Sequence, residues 1–404
     1  MLEGLRIRTG RKLEDIERAS ANFHRMAKIP KIDVKDKAIF ESGHQPNFLP
    51  YPGVWRKVFL LSHLAKAYDA NPIFGFHDLN VCTSKWLFQN RIPAMNKNGF
   101  VTVGFKRKRR NMSLNAMDKP SEDEWNEVIG EIEKRYGGSI VIDELQRSYD
   151  LATNFADVNA IFFARLSFRM GFDNVLFFRY SDILSAFKEE WNKIILKLDR
   201  RMYWYRCRCG GMTMDEVCPI CGGNDFIYPV PNAILRHLLF FEGLRTSVFV
   251  SGSGGLSYGK IADEIASKLG LNRPITICWI GRDLYMNDVR RKVVEDLKRL
   301  LGVKDLKDME KGREALRGED KGAMGRYRYA QTLMEIARRS FELKPSMIDL
   351  IYNVGLDGIV TAWIEAFERL EFERDGRFLL LKGDIDYDGS AKVFEEMIGC
   401  SREC

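Results

Sequence analysis

Four cysteines fall within 15 residues, as Cys207-Arg-Cys209-Gly-Gly and Cys218-Pro-Ile-Cys221-Gly-Gly. Four thiolates at this spacing can surround one Zn²⁺ tetrahedrally at about 2.3 Å, and the glycines free the backbone to approach sulfur. All four ligand positions are filled by protein, so the expected metal is structural zinc and not a catalytic ion with an open position. A metal-free redox pair or an iron site are the other readings. The first knuckle is Cys-x-Cys, tighter than the usual Cys-x-x-Cys. The second follows the Cys-Pro-x-Cys-Gly pattern of zinc ribbons.

A second group of reactive types is spread over several turns. Gly43-His44-Gln45-Pro46-Asn47 precedes a helix-patterned run that reaches about Ala65. This strand end, polar turn and helix start is where α/β enzymes hold phosphates and carboxylates. His44 supplies a switchable proton site, and Gln45 and Asn47 supply amides; capping of the turn is the plainer role for His44 and Asn47. His77-Asp78 ends the next candidate strand, and an Asp can orient an imidazole for proton transfer. The other histidines, His24, His63 and His237, sit in helical patterns and read as packed or surface residues. The turn Ser251-Gly252-Ser253-Gly254-Gly255, followed by Tyr258 and Lys260, lies between a strand and a helix. Its Gly254-to-Lys260 spacing matches a phosphate-cradling loop, but Ile261 stands where Ser or Thr would hold Mg²⁺. A Gly-rich ligand turn, or a tight structural turn, is the better reading.

The elements that must position these residues alternate. Short apolar runs read as strands at Ala38–Glu41, Pro72–Phe76, Asn174–Tyr180, Thr246–Ser251 and Ile275–Ile280. Helical periodicity fills 121–135, 155–170, Asn232–Phe241 and Tyr258–Leu269. The pattern predicts an α/β fold built on a sheet of alternating strands and helices, with an inserted zinc ribbon and a mainly helical C-terminal region. The expected organisation is a helical arm (1–37), the first part of the core (38–202), the ribbon (203–228), the second part of the core (229–284) and the C-terminal region (285–404). In that last region helices are expected near Arg326–Leu343 and Gly355–Glu371, then a hairpin at Arg377–Tyr387. A hairpin over Phe100–Phe105 ends in the basic run Lys106-Arg107-Lys108-Arg109-Arg110, which reads as a solvated turn or a patch attracting an anionic substrate more readily than as a nucleic-acid contact.

The chain of 404 residues, 45% hydrophobic, is long enough for a large core. Its net charge of +7 is modest for 63 basic and 56 acidic residues, so a small anionic ligand accounts for it as well as nucleic acid would. The charged start, Met1–Lys12, lacks the apolar core of a signal peptide, and no stretch has the length of a membrane span. Of eight cysteines, four are packed together and Cys82, Cys278, Cys400 and Cys404 are scattered, which favours metal ligation over a secreted disulfide framework. A soluble, cytoplasmic protein without membrane contact is expected.

At these motifs the chain resembles two families. GHQPNFLPYPGVWRK, HDLNV, SKWLFQNRI and GFVTVGFKRK are similar to the WbqC-like family. NFADVNAIFFARLSFRMGFDNVLFF and PNAILRHLLFFEGLRTSVFVSGSGGLSYGKIADEIASKLGLNRP resemble the bacillithiol-biosynthesis cysteine-adding enzymes. Together they span roughly residues 40–285. The second resemblance implies a Rossmann-like, nucleotidyltransferase-like core, a ligase that forms a carbon–nitrogen bond by transferring cysteine to the amine of a sugar conjugate, and coiled-coil-like helices compatible with a homodimer. The first implies surface-polysaccharide work. The implied site is His44, Gln45, Asn47, His77, Asp78, Asn232, Arg236, Gly252, Gly254, Gly255 and Tyr258, with Ser251 and Ser253 in the same turn. In this expectation His44 and Gln45 bind an activated carboxyl or phosphate, His77 removes a proton, and the 251–255 turn with Arg236 holds an anion. The partners are an amino acid and an amino-sugar-type acceptor, and the use of ATP is open. His replaces the first Gln of the family's turn, and the ribbon interrupts the match before Pro231-Asn232. The alternatives are a tRNA- or nucleic-acid-binding zinc-ribbon protein and a noncatalytic ligand-binding member of the fold.

Overall fold

The computed structural model describes residues 7–107, 111–305, 308–316 and 321–402. Residues 1–6 of the N-terminal arm and Lys108–Arg110 of the basic run lie outside the described residues. The centre is a seven-stranded sheet: β1 Ile39–His44, β2 Asn71–Phe76, β3 Leu176–Arg179, β4 Val248–Ser251, β5 Ile275–Ile280, β6 Glu371–Asp375 and β7 Phe378–Lys382. They lie in the order β6-β7-β5-β4-β1-β2-β3. All neighbours are parallel except the edge pair β6/β7.

Omitting the antiparallel edge strand, the order reads third, second, first, then fourth, fifth and last, as in doubly wound α/β sheets. The chain leaves β1 toward one edge and, after β3, crosses back to place β4 on the other side of β1. The carboxyl ends of β1 and β4 therefore splay apart at a topological switch point, the usual ligand crevice of such sheets.

Successive strand residues feed opposite layers, as the pleat requires. Phe40, Phe74, Phe76 and Phe177 join a core with the helices Pro52–Tyr68 and Phe155–Arg169. Ile39, Ile73, Leu176 and Phe178 join a second core with Ala233–Leu244 and Leu256–Leu269. A third apolar cluster, built from Leu284 and the helices Asp288–Leu301, Lys321–Glu342 and Ala391–Arg402, forms the C-terminal helical unit. It is tied to the rest by Asp349, which accepts from Tyr136 Oη (2.8 Å), Tyr285 Oη (2.6 Å) and Asn287 Nδ2 (3.2 Å). No single helix among the described residues is long and apolar enough to cross a membrane.

The expected C-terminal organisation needs correction. Phe378–Lys382 is not half of an isolated hairpin with 385–387 but a parallel strand of the central sheet, paired with β5. Its antiparallel partner, Glu371–Asp375, starts at the last residue assigned to a helix over Gly355–Glu371; the helix there ends at Phe367. Every residue of that edge strand is exposed, so its Glu and Arg residues carry no burial pattern to distinguish strand from helix. Ile385–Asp386 pairs instead with Asp283–Leu284.

The N-terminal helix Leu13–Ala27 covers the β3 edge. Buried His24 accepts the free Phe177 N–H on Nε2 (3.1 Å) and donates from Nδ1 to the Pro30 carbonyl (2.6 Å), so its ring must be neutral. Burial depresses its proton affinity accordingly. Because the folded value lies below the unfolded one, this contribution is complete above about pH 6.5 and is lost as pH falls. We expect His24→Leu to cost about 1–3 kcal/mol in urea denaturation at pH 7.5, from the orphaned Phe177 N–H. The difference from the parent protein should shrink as pH falls below 6, since protonation removes the same acceptor.

Candidate functional site

The carboxyl ends of β1 and β2 are built on a pair of glycines in register, Gly43 and Gly75. A Cβ on Gly43 would stand 2.7 Å from both the Gly75 carbonyl oxygen and His77 Nε2, and one on Gly75 would stand 2.6 Å from the Tyr180 ring. The missing side chains let His77 and Tyr180 lie flat across the strand ends, stacked at 4.6 Å and 14°. Tyr180 in turn bonds buried Glu41 (3.2 Å), which also accepts from Thr246 Oγ1 (2.7 Å). Desolvation raises Glu41 to about 7 against those bonds.

His44 closes β1. Its Nδ1 lies 2.7 Å from the Gln45 carbonyl, which can only accept, so the proton sits on Nδ1 and Nε2 carries a lone pair. Desolvation, helped by the nearby Lys57 charge, lowers this ring to about 3. His77 is lowered well below its usual value by desolvation and by the charges of Arg236 and Lys57. His237, between Phe241 (5.1 Å) and Tyr258 (5.6 Å), falls to about 3 through desolvation. Three neutral imidazoles are thus buried near one another, His44 and His237 each within electrostatic reach of His77.

Two cations that the sequence reading passed over complete it. Arg56 and Lys57 lie in the helix Pro52–Tyr68, and both are 6% exposed. Lys57 Nζ donates to the Gly43 carbonyl at 2.5 Å and lies 5.6 Å from the Phe74 ring centroid, with no carboxylate partner among the described residues. Desolvation lowers this amine to about 7. The signal was present: two adjacent cations stand in a helix whose other residues from Val54 to Leu61 are apolar, and an all-round apolar helix buries whatever it carries.

Among the residues expected from sequence, the structure brings His44, His77, Arg236, Ser251, Gly255 and Tyr258 to the same end of the sheet. Arg236 donates to Asn80 Oδ1 (2.7 Å) and sits 5.7 Å from the Tyr180 ring, with its buried Nε unpartnered. A Cβ on Gly255 would meet Ser251 Oγ at 2.8 Å and Tyr258 Oη at 3.2 Å, which places those hydroxyls together. Gly252 and Ser253 line the adjoining cleft, and Gly254 stands open beside them. Gln45 and Asn47 lie in the turn itself, with Asn47 Oδ1 buried and unpartnered.

Asp78 does not orient His77. Its oxygens accept from Ser181 N (3.0 Å) and Asn115 Nδ2 (3.1 Å), because the chain reverses after Phe76 and sends the two side chains apart. Asn232 serves as a helix cap, accepting from Leu235 N (3.0 Å). Lys260 pairs with Asp375 (2.6 Å) on the edge strand, so it is not a phosphate lysine. Arg107 of the basic run is paired with Glu124 (3.0 Å).

The four cysteines form a compact cluster, all sulfurs within 4.8 Å of one another. Cys207–Cys221 and Cys209–Cys218 stand 3.6 and 3.5 Å apart, near the ~3.8 Å edge of a tetrahedron with 2.3 Å metal–sulfur bonds. The backbone supports the knuckles: Gly210 and Gly222 have φ of +88° and +72°, and a Cβ on Gly211 would lie 2.3 Å from Cys218 Sγ. These residues could hold a metal ion. Their three-stranded ribbon, Tyr203–Cys207 with Met212–Thr213 and Phe226–Pro231, extends three residues beyond the expected insertion. It docks on 111–116 through Met212 N to Asn111 O (2.7 Å) and Arg206 Nε to Ser113 Oγ (3.3 Å). Asn115 in that segment bonds Asp78, so the cysteine cluster braces the loop that follows His77.

No protein-family model matches this chain, and no curated protein matches it. Gly43→Ala is expected to cost about 1–3 kcal/mol in denaturant unfolding, because the new methyl must displace His77 or part β1 from β2. The same change at Gly254, where nothing lies within 4 Å, should leave the unfolding midpoint unchanged.

Proposed function

We propose that this protein is a ligase-like enzyme that joins an amino acid, cysteine being one candidate, to the amine of a small sugar-containing acceptor. The observation that carries this reading is a buried amine with a proton affinity near neutral, Lys57, set beside unprotonated imidazoles at the switch point. A general base works best when its pKa lies near the working pH, which favours Lys57 over His44 or His77. In this reading neutral Lys57 takes a proton from the acceptor's ammonium. The freed amine attacks the carboxyl carbon of the activated amino acid. A C–N bond forms, the C–O bond to the leaving group breaks, and the departing oxygen keeps the electron pair and takes up the second proton shed by the attacking nitrogen, opposite the Arg236 guanidinium. His44 Nε2, fixed as an acceptor by its Nδ1–H bond, orients the incoming N–H. The motif resemblance to cysteine-adding enzymes points the same way.

The test is turnover with ATP, single amino acids and a pool of amino sugars, with condensed products read by mass spectrometry. A new conjugate is expected, with kcat/KM rising as pH increases through about 7, where Lys57 loses its proton. Lys57→Met should lower kcat by roughly 10²–10⁴-fold. Full turnover in Lys57→Met or in His44→Ala would contradict these assignments.

For the cysteine cluster we propose structural zinc, since four thiolates leave no open coordination position. One zinc per chain is expected in the purified protein. Stripping it with a strong chelator should lower the melting temperature and reduce turnover together, through the Asn111–Asn115 segment and Asp78. Metal-free protein with an unchanged melt would remove this role.

A further inference from the structure

Beside the imidazole cluster lies a cleft of ≈ 590 Å³, walled by the start of the helix Pro52–Tyr68, the carboxyl ends of β4 and β5, and Phe341–Pro345 of the C-terminal unit. This is the size of a small-molecule site. Nothing in the proposed proton transfer uses Arg56, which lines it. The Arg56 Nη2 donates to the Gly281 carbonyl (3.0 Å) and lies 3.4 Å from Asp283 Oδ2. Its Nε and Nη1 are buried without a hydrogen-bond partner among the described residues. A buried guanidinium with open donors is costly, and a ligand oxygen reached by a small turn of the side chain would satisfy it.

Two helices also begin at this cleft. Pro52–Tyr68 presents Gly53, and the turn Gly252-Ser253 leads through Gly255 into Leu256–Leu269. Neither helix has an acidic residue in its first turn or a side-chain cap. By contrast, Asn154, Ser121 and Asn287 cap helices that also carry acids in the first turn. Helix N-termini offer free N–H groups and a positive dipole end, and an uncapped pair facing one cavity suits an anion. The carboxylates on the rim are already engaged: Asp283 near Arg56, Asp384 with Arg282, and Glu342 with Arg338. Lys344 adds a cation 5.9 Å from the Tyr51 ring, and Trp279 lies under Arg56 at 5.3 Å.

We propose that this cleft binds a phosphate-bearing ligand, with phosphoryl oxygens on Arg56 and on the N–H groups of Gly53 and Ser253. The inference concerns binding and holds whether or not Lys57 acts as the base, so it is measured without turnover. Isothermal titration calorimetry with inorganic pyrophosphate should show one site per chain. Arg56→Met should weaken binding by about tenfold or more, as should Ser253→Glu, which puts a carboxylate at the exposed helix start without touching the core. The second variant carries the test if the first fails to fold, as judged by circular dichroism. Tighter binding of ATP than pyrophosphate would assign the site to a nucleotide, and tighter binding of glucosamine 6-phosphate would assign it to a sugar phosphate. No heat with millimolar pyrophosphate, or binding unchanged in the folded variants, would overturn the proposal.

Discussion

Lys57 crosses back over the carboxyl edge of the sheet and holds its amine against the Gly43 carbonyl, out of water and without a carboxylate. Taking an ammonium into such a place is expensive, and the molecule meets the cost by letting the amine approach neutrality. That one constraint orders its surroundings. Its residual charge helps keep His44 and His77 unprotonated, and the carbonyl it bonds belongs to the glycine whose missing side chain admits His77. The doubly wound topology provides the setting, since the helix after β1 must start at the switch point and pass over the strand ends.

The surrounding units bear on the same edge from different sides. The ribbon and its cysteine cluster support the segment 111–116, whose Asn115 holds Asp78 just after His77. The C-terminal unit closes the far wall of the cleft with Phe341–Pro345, and it is fixed by the bonds to Asp349 and by Ser346 donating to the Leu49 carbonyl (3.1 Å). Leu49 itself has a left-handed φ of +46°, which a leucine adopts only when its neighbours hold it; Asn90 and Ser346 both bond its carbonyl. The Pro-rich turn after His44 is therefore set by distant segments as much as by its own prolines.

Much of this was legible in the sequence because it rests on local pattern. Ile275–Ile280 is a strand at the expected residues, and the alternating strand and helix signals lead to a parallel-dominated sheet. The cysteine spacing leads to a cluster of the right size for a metal. Polar residues at strand ends were found for the same reason: a strand that stops at His44, or just before His77, marks the rim of the sheet. Partnership was not legible. Asp78 beside His77 suggested a pair, but adjacent residues at a chain reversal point apart, and its partners lie 37 and 103 residues away. The register that seats Gly43 beside Gly75 is likewise tertiary, as is the addition of β7 to β5 across about a hundred residues. Arg56 and Lys57 show the middle case: their burial could be read from the apolar helix around them, but not what they would face.

The most direct measurement is the titration of Lys57 itself, followed by ¹³Cε and ¹⁵Nζ NMR of lysine-labelled protein and assigned by its absence in Lys57→Met. One lysine signal should titrate with a midpoint near 7, well below the ordinary lysine value of about 10. If the Lys57 signal titrates with the others, the amine is solvated, and the account of the site built around it is wrong.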